Sequence, residues 1–202
     1  MPTPDTTPVL QSPRSVAYAD LWYKVRALNN NPLPAKTEIP LRSLSPFMPH
    51  IAIVQHTGDG RARYTLFGTA LVSLFGRDLT GDYVEGPMTD EARARLIASR
   101  AAFHAEHGAD ATFGRWTIGE ARTNTGRLLE FENLTFPCRE IADGSVRFMS
   151  FVTGLATLDY GEGIVQRYPD RVVKMFNASG PRPAWMAQDP DAECLKSATN
   201  AA

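Results

Sequence analysis

The sequence predicts an α+β domain with a five-stranded antiparallel sheet, helices on one face of the sheet and an additional N-terminal flanking helix. Three observations lead to this prediction. Several short segments alternate apolar and polar residues, as half-buried strands do. Turn-forming residues separate consecutive segments at hairpin spacing, which favours antiparallel pairing. Other segments repeat their apolar residues with the period of an amphipathic helix.

The composition is that of a globular protein and excludes several classes of partner. The chain has 202 residues, of which 43% are hydrophobic and 21% are charged, so it can form one well-packed core. Its formal net charge is −1, which provides no basic surface for nucleic acid. The sequence has no signal-peptide pattern, no apolar run near the roughly 20 residues of a membrane helix, and no metal-ligand spacing at Cys138 or Cys194. We therefore predict a soluble, cytoplasmic protein with neither a nucleic-acid nor a membrane partner.

The distribution of proline and apolar residues predicts four parts. Residues 1–14 contain four prolines and few apolar residues, and are expected to form a disordered arm. Residues 15–48 hold a helix and a proline-rich connector, and residues 49–160 form the main domain. Residues 161–202 are a C-terminal extension, which is expected to end in a mobile tail from about Asn177 because no period continues there.

The first predicted helix, residues 15–28, has a large apolar surface. Its apolar residues are Val16, Leu21, Trp22, Val25 and Leu28. An isolated terminal helix should not expose so much apolar surface. Two arrangements would cover this surface: a homodimer through residues 15–28, or packing of the helix over the sheet of its own chain.

The five strands are predicted at Ile51–His56 and at residues 61–67, 111–120, 127–136 and 146–158. A short helix is expected at Thr69–Phe75, ending before a glycine. The longest helix is expected to begin at Thr89, because two acidic residues follow it in the first turn, and to end at Gly108.

One segment resembles a known family. The sequence from Arg61 to Gly81 reads RARYTLFGTALVSLFGRDLTG, with a strand end, RYTLFGT, followed by a turn, GRDLTG. Together with Trp22 and the Leu-Pro and Ile-Pro pairs at 33–34 and 39–40, it resembles a bacterial family of short, stand-alone PAS-domain proteins over about residues 18–158. The resemblance implies that residues 49–160 are a PAS domain whose first strand lies beside its last. It also implies a sensory or regulatory protein that binds a small ligand or a partner protein in signal transduction and is not an enzyme.

The resemblance further implies where a ligand would bind, because PAS domains hold ligands between the inner face of the sheet and the helices. The candidates are therefore alternating strand residues and one face of the long helix. The predicted ligand-binding residues are Tyr64, Arg100, His104, Trp116, Phe131 and Phe148.

The long helix has a cationic stripe, formed by Arg93, Arg100, His104 and His107. Two orientations are open. In one, the stripe faces solvent and the alanines of the opposite face pack in the core. In the other, part of the stripe faces the pocket, where arginine can bind a carboxylate. The second orientation predicts an anionic ligand, such as an aromatic or fatty acid, and the first an apolar one.

The candidate cofactor is haem. Haem-binding PAS domains take an iron ligand from the long helix, so His104 or His107 would be the haem ligand here. No third metal ligand is clearly placed with them, and no metal site is predicted. Flavin-binding relatives use a helical cysteine, whereas Cys138 follows a proline near a strand end.

Two other classes of function remain as alternatives. One is a small pocketed α+β enzyme, an isomerase or a thioesterase, which needs a carboxylate or histidine beside an oxyanion partner. Glu130 and Glu132 lie on a predicted strand, but no base is apparent near them. The other is an interaction module in which the first helix and the outer face of the sheet bind a partner protein.

Overall fold

The computed structural model describes residues 10–57, 61–154, 159 and 161–186. Within these ranges the chain has four α-helices, at Pro13–Leu28 (α1), Leu41–Leu44 (α2), Thr69–Phe75 (α3) and Asp90–His107 (α4). Short 3₁₀ turns lie at Lys36–Glu38, Met48–His50 and Ala184–Met186. None of the helices in the described ranges is long and apolar enough to cross a membrane.

The strands form one antiparallel sheet. They are Ile51–His56 (β1), Ala62–Phe67 (β2), Phe113–Thr123 (β3), Leu128–Arg139 (β4), Val146–Gly154 (β5), Ile164–Arg167 (β6) and Val172–Asn177 (β7). Their order is β2-β1-β5-β4-β3-β6, and β7 also pairs with β3. The five predicted strands and the pairing of the first with the last are confirmed. The end of the predicted fifth strand, residues 155–158, lies outside the described residues.

The long helix begins and ends where its residues predict. The side-chain oxygen of Thr89 accepts a hydrogen bond from the Ala92 amide at 3.2 Å, which caps the first turn of α4. Asp90 and Glu91 in that turn add negative charge at the positive end of the helix dipole. Gly108, with φ of +95°, ends the helix in a conformation that few other residues adopt.

Both faces of the sheet are covered. On one face, called here the outer face, α1 packs against residues such as Ile118, Phe136 and Phe151. On the other, the inner face, α3 and α4 pack against residues such as Val54 and Phe148. Because neither face is open to solvent, the central strands are buried along nearly their whole length.

Helix α1 is held on the outer face by its own chain, as the second of the two arrangements predicted. Trp22 is 1% exposed, stacks on Phe136 at a centroid distance of 4.7 Å and donates a hydrogen bond to the Pro137 carbonyl at 3.1 Å. Val25 is also buried, whereas Leu28 is exposed. Most of the apolar surface that suggested a homodimer through residues 15–28 is therefore covered within the chain, Leu28 excepted, and the homodimer itself stays a prediction.

A buried glutamate caps the N-terminus of α1. Glu132 of β4 has no measurable exposure and accepts four hydrogen bonds. They come from the amides of Gln11 and Ser12 at 2.8 and 3.0 Å, the Ser15 hydroxyl at 2.6 Å and the Trp116 indole at 2.8 Å. These donors compensate the buried charge and join the helix to the middle of the sheet.

The predicted C-terminal extension contributes to the same sheet. Strands β6 and β7 pair with successive parts of β3, the first with residues 121–123 and the second with residues 113–118. Beyond β7, Ala178 and Met186 are fully buried in the outer-face core. Part of the segment predicted to be a mobile tail, residues 177–186, thus contributes buried residues to the described structure, whereas residues 187–202 lie outside it. Of the predicted disordered arm, residues 1–14, the structure describes residues 10–14, and Leu10 is buried.

Candidate ligand-binding site

A cavity of about 80 Å³ lies between the inner face of the sheet and helices α3 and α4. A space of this size holds roughly six water molecules, or a ligand of about ten non-hydrogen atoms. Most of its wall is apolar: Ala52, Val54, Phe67, Leu71, Leu74, Phe75, Val84, Met88, Leu96, Phe113, Phe131, Phe148, Val152 and Ile164. The remaining lining residues are polar: His56, Tyr64, Arg100, Arg115, Asn133, Thr135, Ser150 and Arg167. An apolar wall with a few converging polar groups is typical of small-molecule sites.

The cavity brings together four of the six predicted ligand-binding residues. Tyr64, Arg100, Phe131 and Phe148 all line it. They come from β2, α4, β4 and β5, so residues distant in sequence meet at one site.

Trp116, the fifth predicted residue, lies on the outer face. It packs in the cluster covered by α1 and donates its indole hydrogen bond to Glu132. The inner-face neighbours of Trp116 along β3 are Phe113 and Arg115, which do line the cavity. The alternation along the strand was correct, but the inner face is formed by the other set of residues.

His104, the sixth, is half-buried beside the cavity and is not in its lining. Its ring contacts Phe103 and Phe113 at centroid distances of 5.4 and 6.2 Å, and Nδ1 lies 3.3 Å from the Gly108 carbonyl. His107 packs against Phe103 further out. Since neither histidine lines the cavity, neither is placed to bind the iron of a haem inside it.

The orientation of α4 follows from its buried residues. Leu96 and Phe103 are buried and Arg100 lies between them, facing the cavity. The alanines of the opposite face, Ala94, Ala98, Ala102 and Ala105, are exposed. The arrangement with the alanines in the core is therefore wrong, because the larger apolar residues that border the stripe occupy the core instead.

Three arginines line the cavity, but only one has a carboxylate partner among the residues that the structure describes. Arg115 donates to Asp170 at 2.5 Å, and both side chains are largely buried. Arg167 is 7% exposed and lies over the Phe131 ring at 5.3 Å, without an ion pair in the described ranges. Arg100 likewise has no ion pair there, and its Nε is buried without a hydrogen-bond partner.

The pKa values of Arg100 and His56 reflect their burial first and the nearby positive charge second. Burial, and then the charge on Arg115, lowers the pKa of Arg100, although Glu85 acts in the opposite direction. Burial, followed by Arg100 and His104, lowers the pKa of His56 to about 4. His56 is therefore neutral near pH 7, while the arginines remain charged. An anion in the cavity would offset a charge for which the protein itself supplies too little compensation.

A row of polar side chains crosses the inner face next to these arginines. Thr135 of β4 pairs in register with Arg115 of β3 on one side and with Ser150 of β5 on the other. The hydroxyl oxygens of Thr135 and Ser150 are 2.8 Å apart, and Thr135 also lies 3.4 Å from the side-chain oxygen of Asn133.

Sequence reasoning missed His56, Arg115 and Arg167. His56 shares a face with Val54, so the alternation along β1 would have found it once the inner face was known. Arg115 required the same information for β3. Arg167 lies on a four-residue strand that has too few residues to show a period.

The described parts of the chain contain no group of three or more His, Cys, Asp or Glu side chains that could hold a metal ion. Cys138 lies on the outer face, away from the cavity, and burial raises the pKa of its thiol to about 12. The polar groups that face the cavity are therefore cationic guanidinium groups, hydroxyls, an amide and a neutral imidazole.

One of two comparisons with known proteins places the chain in a family. No curated protein matches it. The sequence model of the PAS domain family matches residues 10–153, which include α1 and extend from β1 almost to the end of β5. The match agrees with the curled antiparallel sheet, the pairing of β1 with β5 and the helices that close the inner face. The chain therefore belongs to the PAS domain family.

Proposed function

We propose that this protein is a sensory PAS domain that detects a small organic anion in the cavity on the inner face. PAS domains are in general sensory or regulatory modules. A sensor of this kind changes the populations of its conformations when it binds its ligand. In this proposal a partner protein detects that change, without a catalytic step in this chain.

The main support for this proposal is the position of Arg100. Its guanidinium group faces an apolar cavity, and among the described residues it has no carboxylate partner. A partly buried cation without an ion-pair partner is costly, so a ligand that carries negative charge should gain more in this cavity than a neutral one of the same shape. Arginine also matches the planar geometry of a carboxylate with two hydrogen bonds.

The rest of the wall suits the apolar part of such a ligand. Phe113 and Phe148 stack on each other at a centroid distance of 4.7 Å, and Phe131 lies elsewhere in the same wall. Tyr64 is buried beside them on β2. Aromatic walls of this kind enclose a ring or a short aliphatic chain, so we infer an aromatic acid or a short fatty acid as the ligand.

The test compares an acid with its neutral isostere. Benzoate and benzamide have nearly the same shape and size, and differ in charge. Calorimetric titration at pH 7 is expected to show benzoate binding at least ten times more tightly than benzamide. The same comparison with hexanoate and hexanamide distinguishes a ring from a chain. Equal affinities for acid and amide, or no binding by either acid, would contradict the proposal.

A further inference from the structure

The polar row on the inner face has unused hydrogen-bonding groups. The side-chain oxygen of Asn133, 3.4 Å from the Thr135 hydroxyl, can accept its proton. In the 2.8 Å contact between Thr135 and Ser150, either hydroxyl can be the donor. In both directions the Ser150 oxygen keeps a lone pair that is free to accept a hydrogen bond.

Asn133 contributes the complementary group. Its amide nitrogen Nδ2 carries two protons, and no group in the described ranges accepts either of them. Asn133 and Ser150 both line the cavity. The row therefore presents a donor and an acceptor to the same space, and one ligand hydroxyl can satisfy both.

The charged and the neutral groups are close enough for one small ligand to reach both. Arg115 and Thr135 are paired residues on neighbouring strands, as are Thr135 and Ser150. Side chains so paired on one face start about 5 Å apart. Arg100 enters the same cavity from α4. A ligand of about ten non-hydrogen atoms can span from the guanidinium groups to the row.

We propose that the ligand is a small hydroxylated organic acid, whose carboxylate lies against Arg100 and whose hydroxyl group binds to Asn133, Thr135 and Ser150. This inference rests on the proposed function, since it assigns a second contact to the same anion. It narrows the class from any small acid to acids with one further uncharged group that both donates and accepts a hydrogen bond. An acid without that group leaves the row unsatisfied, which reduces its affinity.

The test uses hydroxybenzoates, because their rigid ring holds the hydroxyl at a fixed distance from the carboxylate. Benzoate has the carboxylate alone, and its 2-, 3- and 4-hydroxy isomers place one hydroxyl at three increasing distances from it. Calorimetric titration of all four into the wild-type protein at pH 7 is expected to show one isomer binding at least tenfold more tightly than benzoate. The position of the favoured hydroxyl then reports the distance from Arg100 to the row.

Two variants assign the preference to the row. Replacing both hydroxyls together, Thr135→Val with Ser150→Ala, leaves no unpaired partner from their mutual hydrogen bond and should preserve the fold. The second variant is Asn133→Leu, which keeps the approximate shape and removes the donor. Each variant is expected to reduce the preference for the favoured isomer over benzoate to threefold or less, because the ligand hydroxyl then lacks its partners.

Thr117→Val is the matched control. Thr117 is a fully buried threonine of β3 in register with Asn133, but it does not line the cavity and its hydroxyl has no described partner. This variant should keep the full preference, and thermal unfolding of each protein shows that it is folded.

The outcomes separate the two proposals. If benzoate binds and none of its hydroxy isomers binds more tightly, the hydroxyl contact is overturned and the anion site stands. If a preference exists but persists in both row variants, the assignment to Asn133, Thr135 and Ser150 is overturned. If none of the four acids binds, the proposed function fails and this inference fails with it.

Discussion

Arg100 on α4 and Arg115 on β3 line one cavity from the helix and from the sheet, and among the described residues only Arg115 has a carboxylate partner. The charge on Arg115 adds to the effect of burial in lowering the pKa of Arg100. The two residues therefore place an excess of positive charge in a mainly apolar space. We expect this arrangement to cost stability in the free protein and an anion to relieve that cost, as the proposed function requires.

The attachment of α1 to the sheet predicts a stability effect at Trp22. Trp22→Ala removes a fully buried ring and its hydrogen bond to Pro137, so the free energy of unfolding should fall by about 3–5 kcal/mol in denaturant titration. Leu28→Ala, at an exposed position of the same helix, should change it by less than about 0.5 kcal/mol. Light scattering should give both variants the mass of the wild type. A lower mass at unchanged stability would show that Trp22 belongs to a dimer interface instead.

The cap on α1 predicts a large effect of a nearly isosteric change. In the wild type, all four donors give their hydrogen bonds to the Glu132 carboxylate. In Glu132→Gln, the new NH₂ group is itself a donor and faces some of them, so about 2–4 kcal/mol of stability should be lost. Glu130→Gln is the control, because Glu130 lies on the same strand and is partly exposed in a surface ion pair with Arg171. That change should cost less than about 1 kcal/mol. Equal losses in the two variants would argue against a capping role for Glu132.

His56 predicts how stability depends on pH. Its pKa is about 4 in the folded protein and about 6.5 when unperturbed, so between these values the unfolded chain binds more protons. The contribution of His56 to stability is therefore fully present above about pH 6.5 and is lost as the pH falls toward 4. Because the ring is partly exposed, the loss should be on the order of 1 kcal/mol.

His56→Gln removes this contribution and leaves the other titrating groups in place. Unfolding measured in denaturant at pH 7, 6 and 5 should show the wild type losing more stability than the variant over this interval. The direction follows first from the burial of the ring and then from its proximity to Arg100 and His104, all of which disfavour its protonation. Parallel pH profiles for the two proteins would mean that the His56 pKa is not depressed.

Sequence reasoning predicted the five main strands because local features define them: hairpin turns, and alternation along each strand. It could not choose the face that holds the cavity, because both faces of β3 and β4 are buried and alternation only divides the residues into two sets. Trp116 was assigned to the cavity for this reason. On α4, the buried pair Leu96 and Phe103 determined the orientation, and only the packed structure shows that they outweigh the alanines.

The arginine cluster was only partly predictable for a different reason. Arg100 belongs to a stripe that its helix spacing reveals, so it was found. Arg167 and Asp170 lie on and after a strand of four residues, and their position depends on the pairing of β6 and β7 with β3. Contacts of this kind, between segments distant in sequence, produce no local sequence pattern from which the positions of Arg167 and Asp170 could be predicted.

The most direct test of the anion site is the affinity for benzoate of two arginine variants of the same helix. Arg100→Met keeps the apolar stem of the side chain and removes the charge that faces the cavity. Arg95→Met makes the same change at an exposed position, where Arg95 forms an ion pair with Glu91. In calorimetric titration at pH 7, Arg100→Met should weaken benzoate binding by about 2–3 kcal/mol, and Arg95→Met by less than about 0.5 kcal/mol. Equal affinities in wild type and Arg100→Met would contradict the assignment of this cavity as an anion sensor.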